Sequence, residues 1–348
     1  MTRFRQPRVF AASLGLLLSV PAHAAGTTLP RPNWDRELAL QTARMAADDT
    51  ALREWFRLLR QGQAAELTRF VKDFSTSASP SAPAREKRLY EFTLGLGNFA
   101  VSQLPAELVD FLASYTPQTL VAHEENASSA VPLFNIPAVA QGLKNREQRQ
   151  QAETRSGELL QRQPAQWLRA FLAATPVQRR GFMDSLDTAP APQLKAVGEL
   201  ALQQLPASPE LLAVAGQAAI ASADREALQI ALRQPGQSEE LADILRATDR
   251  RFGERDRALV LLTVIESALP ENAALAIALL TPGLSRVAEV TDTLFDLLED
   301  SALGASAALA LASHPDPAVA LRLREMARLA DPASARARMA LELAGSGR

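Results

Sequence analysis

Three stretches near the C-terminus decide the fold: L-E-D-S-A-L-G-A-S-A-A-L-A-L-A at Leu298–Ala312, D-P-A-V-A-L-R-L-R-E-M-A at Asp316–Ala327, and D-P-A-S-A-R-A-R-M-A-L-E-L-A at Asp331–Ala344. Asp-Pro opens two of them, and a proline at the first helical position after an acidic cap is a helix start. Apolar residues then recur at three- and four-residue spacing, as in Val319, Leu323 and Met326, which places them on one helical face. The small side chains of Ala307, Ala308, Ala310 and Ala312 let neighbouring helices approach closely.

Working upstream, the same rhythm predicts helix pairs starting near Pro190, Ala223, Glu254, Leu284 and Pro315, about 30 residues apart. The punctuation lies at Pro235-Gly236, Pro282-Gly283, His314-Pro315-Asp316-Pro317 and Asp331-Pro332. A helix pair repeated at that period buries its apolar face only against its neighbours, which is the pattern of an α-solenoid. The last units resemble HEAT-like helical repeats, and the resemblance implies a curved stack that binds protein partners; it transfers no catalytic residue. An irregular helical bundle with similar helix lengths is the other reading of the same pattern.

Before residue 187 the chain is also helical in period but built from larger side chains. Stripes at Leu52, Trp55, Phe56 and Leu59, at Leu67, Phe70, Val71 and Phe74, and at Leu89, Phe92, Leu96 and Phe99 each fit one helix face. Asp49 and Thr50 are candidate caps, and Ser75–Ala84 reads as a linker. Further helices are expected at Pro137 to about Gln161, where the polar run Asn145–Arg155 is an exposed helix or a hinge, then at Gln166–Ala174 and Pro176–Leu186. No alternating strand pattern is visible, so the fold class is all-α: a helical body at 25–187, rich in aromatics, followed by solenoid-like pairs at 188–348.

The first 24 residues are an address. Arg3, Arg5 and Arg8 precede an apolar run from Val9 to Val20, then Pro21 and the triplet Ala22-His23-Ala24. This is a cleavable secretory signal, and the run is too short for the roughly 20 residues of a membrane span. Cleavage after Ala24 removes three arginines and no acids, leaving 34 basic and 39 acidic residues and only His123 and His314. The abundance of Ala and Arg over Ile and Lys suggests a high-GC bacterium. The expected product is periplasmic, has no transmembrane span, and meets another envelope or periplasmic protein.

Composition also bounds the chemistry. The chain has 348 residues, no cysteine, three histidines and a formal net charge of -2. Disulfides, thiol nucleophiles and Cys-ligated metals are excluded, and near-neutral charge gives no reason to expect nucleic acid. No H-E-x-x-H, G-x-S-x-G, Walker A or S-x-x-K motif occurs, and the G-x-G-x-x-A at Gly95, Gly97 and Ala100 lies in a helical pattern without the strand that a dinucleotide fingerprint needs. No cofactor or metal site is expected.

One stretch breaks the helical rhythm. Tyr115–Pro137 holds three prolines, the apolar residues Leu120, Val121, Val131, Leu133, Phe134 and Ile136, and the polar group His123, Glu124, Glu125. A long apolar loop packs against the body and is often functional. An imidazole beside carboxylates can share a proton or contribute to a metal site, so His123, Glu124 and Glu125 are the candidate catalytic residues; the other reading makes them a polar tip paired with arginines. His314, in its turn between helices, is expected to meet the C-terminal carbonyls of the preceding helix. Two functions stay open: a non-catalytic scaffold or adaptor presenting its repeats to another protein, and an enzyme or small-molecule binder with its site at the 115–137 loop.

Overall fold

In the computed structural model, residues 31–346 are described apart from 46–48, 127, 234–237, 268 and 330. They contain eighteen α-helices and one two-stranded ladder, an all-α fold. The expected signal at residues 1–24 and the turn at Pro235-Gly236 lie outside the described residues. No helix among the described residues is long and apolar enough to cross a membrane. Packing divides the chain into two compact units at Gln141/Gly142, whereas composition changes near residue 187.

Unit 1 contains α1 (Arg36–Met45), α2 (Thr50–Arg60), α3 (Ala64–Thr76), α4 (Ala82–Leu96) and α5 (Ala106–Ala113). The aromatic stripes meet in its core: Trp55 and Phe74 have ring centroids 5.0 Å apart, Trp55 and Phe92 5.1 Å, both edge-to-face, the arrangement that the ring quadrupoles favour. Gly95 makes room for this cluster, because a Cβ there would lie 2.3 Å from the Phe56 ring. The linker is shorter than expected, since Pro83 sits at the start of α4, where its missing N–H costs nothing. Asp49 stands at the N-cap of α2, but its side chain accepts no cap hydrogen bond.

The 115–137 segment is more ordered than its sequence suggests. It holds two strands, β1 (Leu120–Ala122) and β2 (Ala130–Pro132), paired antiparallel with Val121 opposite Val131. This corrects the expectation of no strand. Three-residue strands are too short to show an alternating pattern, and so small a hairpin is not stable alone. The Leu120 carbonyl accepts from the backbone N–H groups of Asn33 and Trp34, which covers the outer edge of β1. Pro132 blunts β2.

The long helix α6 (Ile136–Arg162) carries the chain across the unit division; the polar run Asn145–Arg155 is uninterrupted helix. Unit 2 continues with α7 (Pro164–Ala173) and α8 (Pro176–Leu186), the latter opened by a Thr175/Gln178 capping box. Then come α9 (Ala191–Gln204), α10 (Leu211–Ala221), α11 (Arg225–Leu232) and α12 (Ser238–Ala247). The last six helices are α13 (Glu254–Ser267), α14 (Pro270–Ala278), α15 (Ala288–Asp296), α16 (Gly304–Ala312), α17 (Pro317–Met326) and α18 (Pro332–Ser346). Asp224 and Asp316 cap α11 and α17 through their side chains.

The pairs pack in register. First helices touch first helices along α7, α9, α11, α13 and α15, and second helices touch second helices along α8, α10, α12, α14, α16 and α18. The packing order therefore reaches back to α7, earlier than the sequence period shows. Small residues fill these contacts: Ala218, Ala276, Ala307, Ala308, Ala337 and Ala340 are all buried.

Candidate functional site

In unit 1 the groups expected to carry chemistry stand at the hairpin tip. His123 is half-buried, Glu124 and Glu125 are exposed. Glu124 pairs with Arg36 of α1 at 2.7 Å, and the His123 Nδ1 accepts from the backbone N–H of Glu125 at 3.2 Å. The His123 ring and the Glu124 carboxylate thus serve different partners, and these contacts define no common point for the two. Among the described residues no group of three or more His, Asp or Glu comes close enough to share a metal ion.

Beneath the hairpin lies a polar cluster that sequence reasoning missed. Glu86 of α4 is 0% exposed. Its carboxylate accepts from the backbone N–H groups of Gln118 and Thr119, the latter at 3.0 Å, and from the Tyr115 hydroxyl at 3.1 Å. Arg85, also buried, donates to the carbonyls of Ser77 and Pro80 at 2.7 and 3.1 Å and to Gln118 Oε1 at 2.6 Å. Asn33 completes the clamp, donating to the Gln118 carbonyl and accepting from the Leu120 N–H, each at 2.9 Å. A buried carboxylate is tolerable only when hydrogen-bonded in this way. Burial, and next the charge of Glu86, push the Tyr115 phenol up to about 12. The signal was present in the sequence: Arg85 precedes Leu89 by four and Glu86 precedes it by three, so both charges stand in the apolar phase of α4. This cluster holds the loop in place: the Glu86 carboxylate and both Arg85 Nη groups are committed to protein partners, whereas the buried Arg85 Nε and Thr119 Oγ1 are left without one among the described residues.

In unit 2 polar contacts recur with the helix-pair period. Along the first helices, Lys195 faces Asp224 at 3.9 Å, Arg225 pairs with Asp256 at 2.5 Å, Arg255 faces Glu289 at 3.6 Å, and Asp292 pairs with Arg322 at 2.8 Å. Each rung joins one pair to the next. The last rung differs from the others. The α15 and α17 helices pack together less closely than upstream first helices do, and a cleft of about 290 Å³ opens between them, lined by Arg286, Asp292, Phe295, His314, Asp316 and Arg322 among others.

The cleft is organised by two side chains. The Arg322 guanidinium carbon lies 3.9 Å above the centroid of the Phe295 ring while its Nη1 donates to Asp292 Oδ1 at 2.8 Å. His314 lies 2.8 Å from the Ser285 carbonyl through Nε2, and its Nδ1 is 3.1 Å from the Asp316 N–H. A carbonyl only accepts and an N–H only donates, so the tautomer carries its proton on Nε2. This corrects the expected role of His314: its ring reaches the preceding pair rather than the carbonyls of the helix just before it, because the His-Pro-Asp-Pro turn directs the ring backward. Chemically the cleft offers an aromatic face, carboxylates and guanidinium groups, a set suited to recognising a charged side chain; the Thr291 hydroxyl lies 3.5 Å from His314 Nε2 but donates to the Ser285 carbonyl at 2.6 Å.

Comparison of the chain with protein-family models, with curated proteins and with solved structures returns no match.

Proposed function

We propose that this protein is an exported, periplasmic and non-catalytic helical-repeat scaffold or adaptor whose solenoid-like unit 2 binds another envelope or periplasmic protein. The observation that carries this reading is the in-register packing of first helices on first helices from α7 to α15 and of second helices on second helices from α8 to α18. Such an array offers its length, not one enclosed pocket, as a recognition surface. The loose α15/α17 seam supports it further, because its cleft lies between neighbouring first helices, where a partner segment can reach apolar surface.

Export is tested by cell fractionation and by sequencing the N-terminus of the mature protein, which should begin at Ala25. Partner binding is tested by crosslinking in living cells with the full chain, followed by native capture. A stoichiometric partner is expected, and its capture should survive the triple variant His123→Ala, Glu124→Ala, Glu125→Ala. Reproducible absence of any stoichiometric partner overturns the scaffold reading. Capture abolished by the triple variant moves the site to the hairpin.

A further inference from the structure

The cleft between α15 and α17 already holds a ligand-like group, and that group belongs to the chain itself. The guanidinium of Arg322 lies flat over Phe295, whose residue is 2% exposed, and binds the Asp292 carboxylate. An aromatic face with a carboxylate at its rim is what a guanidinium recognises: the ring quadrupole attracts the cation and the acid accepts its N–H groups. Upstream rungs lack this aromatic element in their contacts and sit where first helices pack directly.

The surroundings carry the matching charge. From Val287 to Asp316 the sequence places six carboxylates, Glu289, Asp292, Asp296, Glu299, Asp300 and Asp316, and no lysine or arginine. All six are exposed. Asp300 is held ionised below the usual carboxylate range by the backbone N–H groups of Leu303 and Ala302, and Glu289 faces Arg255. Of the six, Asp292 and Asp316 line the cleft itself, where Arg286 and Arg322 are the opposing charges, and Arg336 lies near Asp300. Once Arg322 is displaced, Asp292 and Asp316 face Arg286 alone, so an acidic segment is repelled there and a basic one is attracted.

We propose that the Phe295–Asp292 seat is a docking site for a basic, arginine-bearing extended segment of a partner protein, and that Arg322 occupies it in cis until displaced. This deepens the scaffold reading and rests on it. The tenant is replaceable because the side chains of Arg322 and Asp292 are 46% and 68% exposed, and solvent-exposed ion pairs are weakly held. A seat filled by its own chain for most of the time lowers apparent affinity by the fraction left vacant.

The test is fluorescence anisotropy at low ionic strength with the full mature protein. The probe is a labelled, end-blocked hexapeptide of alternating arginine and glycine, compared with the same peptide carrying glutamate for arginine. Arg322→Ala should bind the arginine peptide more tightly by about fivefold, as the vacated seat becomes available. Adding Asp292→Ala to that variant should weaken binding by about tenfold or more. The glutamate peptide should not bind. Unchanged or weaker binding by Arg322→Ala, or equal binding of both peptides, overturns the proposal. Should Arg322→Ala fail to fold by circular dichroism, Asp292→Asn in the otherwise unaltered chain decides, since undiminished arginine-peptide binding there refutes the seat. A native partner captured equally by all variants defeats this site alone; absence of any native partner defeats the scaffold reading.

Discussion

The two units are tied together over very different lengths of chain. In unit 1, Asn33 reaches Gln118 and Arg36 reaches Glu124, contacts 85 and 88 residues apart. In unit 2, Gln217 binds Asp187, Arg225 binds Asp256, His314 binds the Ser285 carbonyl and Arg322 binds Asp292, at separations of 29 to 31. Unit 1 closes on itself, so its hairpin, α1 and α4 stand or fall together. Unit 2 is a chain of nearest neighbours, whose stability is roughly a sum over pairs and seams. The contrast teaches that one protein can carry both a cooperative body and a segment able to loosen locally.

The strongest way to break this contrast is Glu86→Ala. It strips acceptors from two backbone N–H groups and the Tyr115 hydroxyl and should destabilise unit 1 by about 3 kcal/mol or more. Hydrogen exchange should rise across 33–34 and 115–122 together, while α9 to α18 keep their protection. If only the hairpin loses protection, the cooperative picture of unit 1 is wrong.

Next in size is Gly181→Ala, where the new Cβ would lie 2.1 Å from the Arg149 carbonyl oxygen. Forcing α6 and α8 apart should cost about 1–3 kcal/mol and show in a lowered denaturation midpoint, with exchange increased near α6 to α8 and unchanged toward α18. Spread of the effect to α18 would mean that unit 2 melts as one block.

A smaller effect separates the units by pH. The Tyr115 phenol is raised to about 12 in the fold from about 10 when unfolded. The folded protein therefore holds this proton more tightly, and the resulting stability is full below pH 10 and is lost as pH rises through 12. With part of the ring still in water, the loss should be no more than about 2 kcal/mol. Denaturation midpoints across that range should fall for the native chain and stay flatter for Tyr115→Phe.

Least of all, removing one rung by Arg225→Ala should change stability by about 0.5 kcal/mol or less, since both partners are solvent-exposed. Exchange in α11 and α13 should shift slightly, and added salt should erase the difference. A loss of several kcal/mol would show that the rungs, rather than the alanine-rich seams, hold the pairs together.

Much of this architecture is legible in the residues. Pro176, Pro317 and Pro332 start helices where they stand, the stripe of Val319 and Leu323 is buried, and the helix pairs open at Ala191, Arg225, Glu254, Ala288 and Pro317, close to the expected starts. These features are local, set by periodicity and cap chemistry within a few residues. The hairpin was not legible, because its strands are three residues long and are held by Glu86 and Asn33 from other elements.

The sites divide along the same line. His123, Glu124 and Glu125 are adjacent in the sequence, yet the His123 ring turns to the Glu125 backbone N–H while Glu124 pairs with Arg36. Asp292, Phe295 and Arg322 gave no such signal, since they meet only when two helix pairs stack. An all-α chain, the helix-pair period and the absence of cysteine chemistry follow from the residues alone, because helix formation and composition are local properties. Which charges are buried, that Arg322 lies over Phe295, and that one seam stays open are settled by packing, because burial and side-chain pairing depend on the partners that it brings within reach.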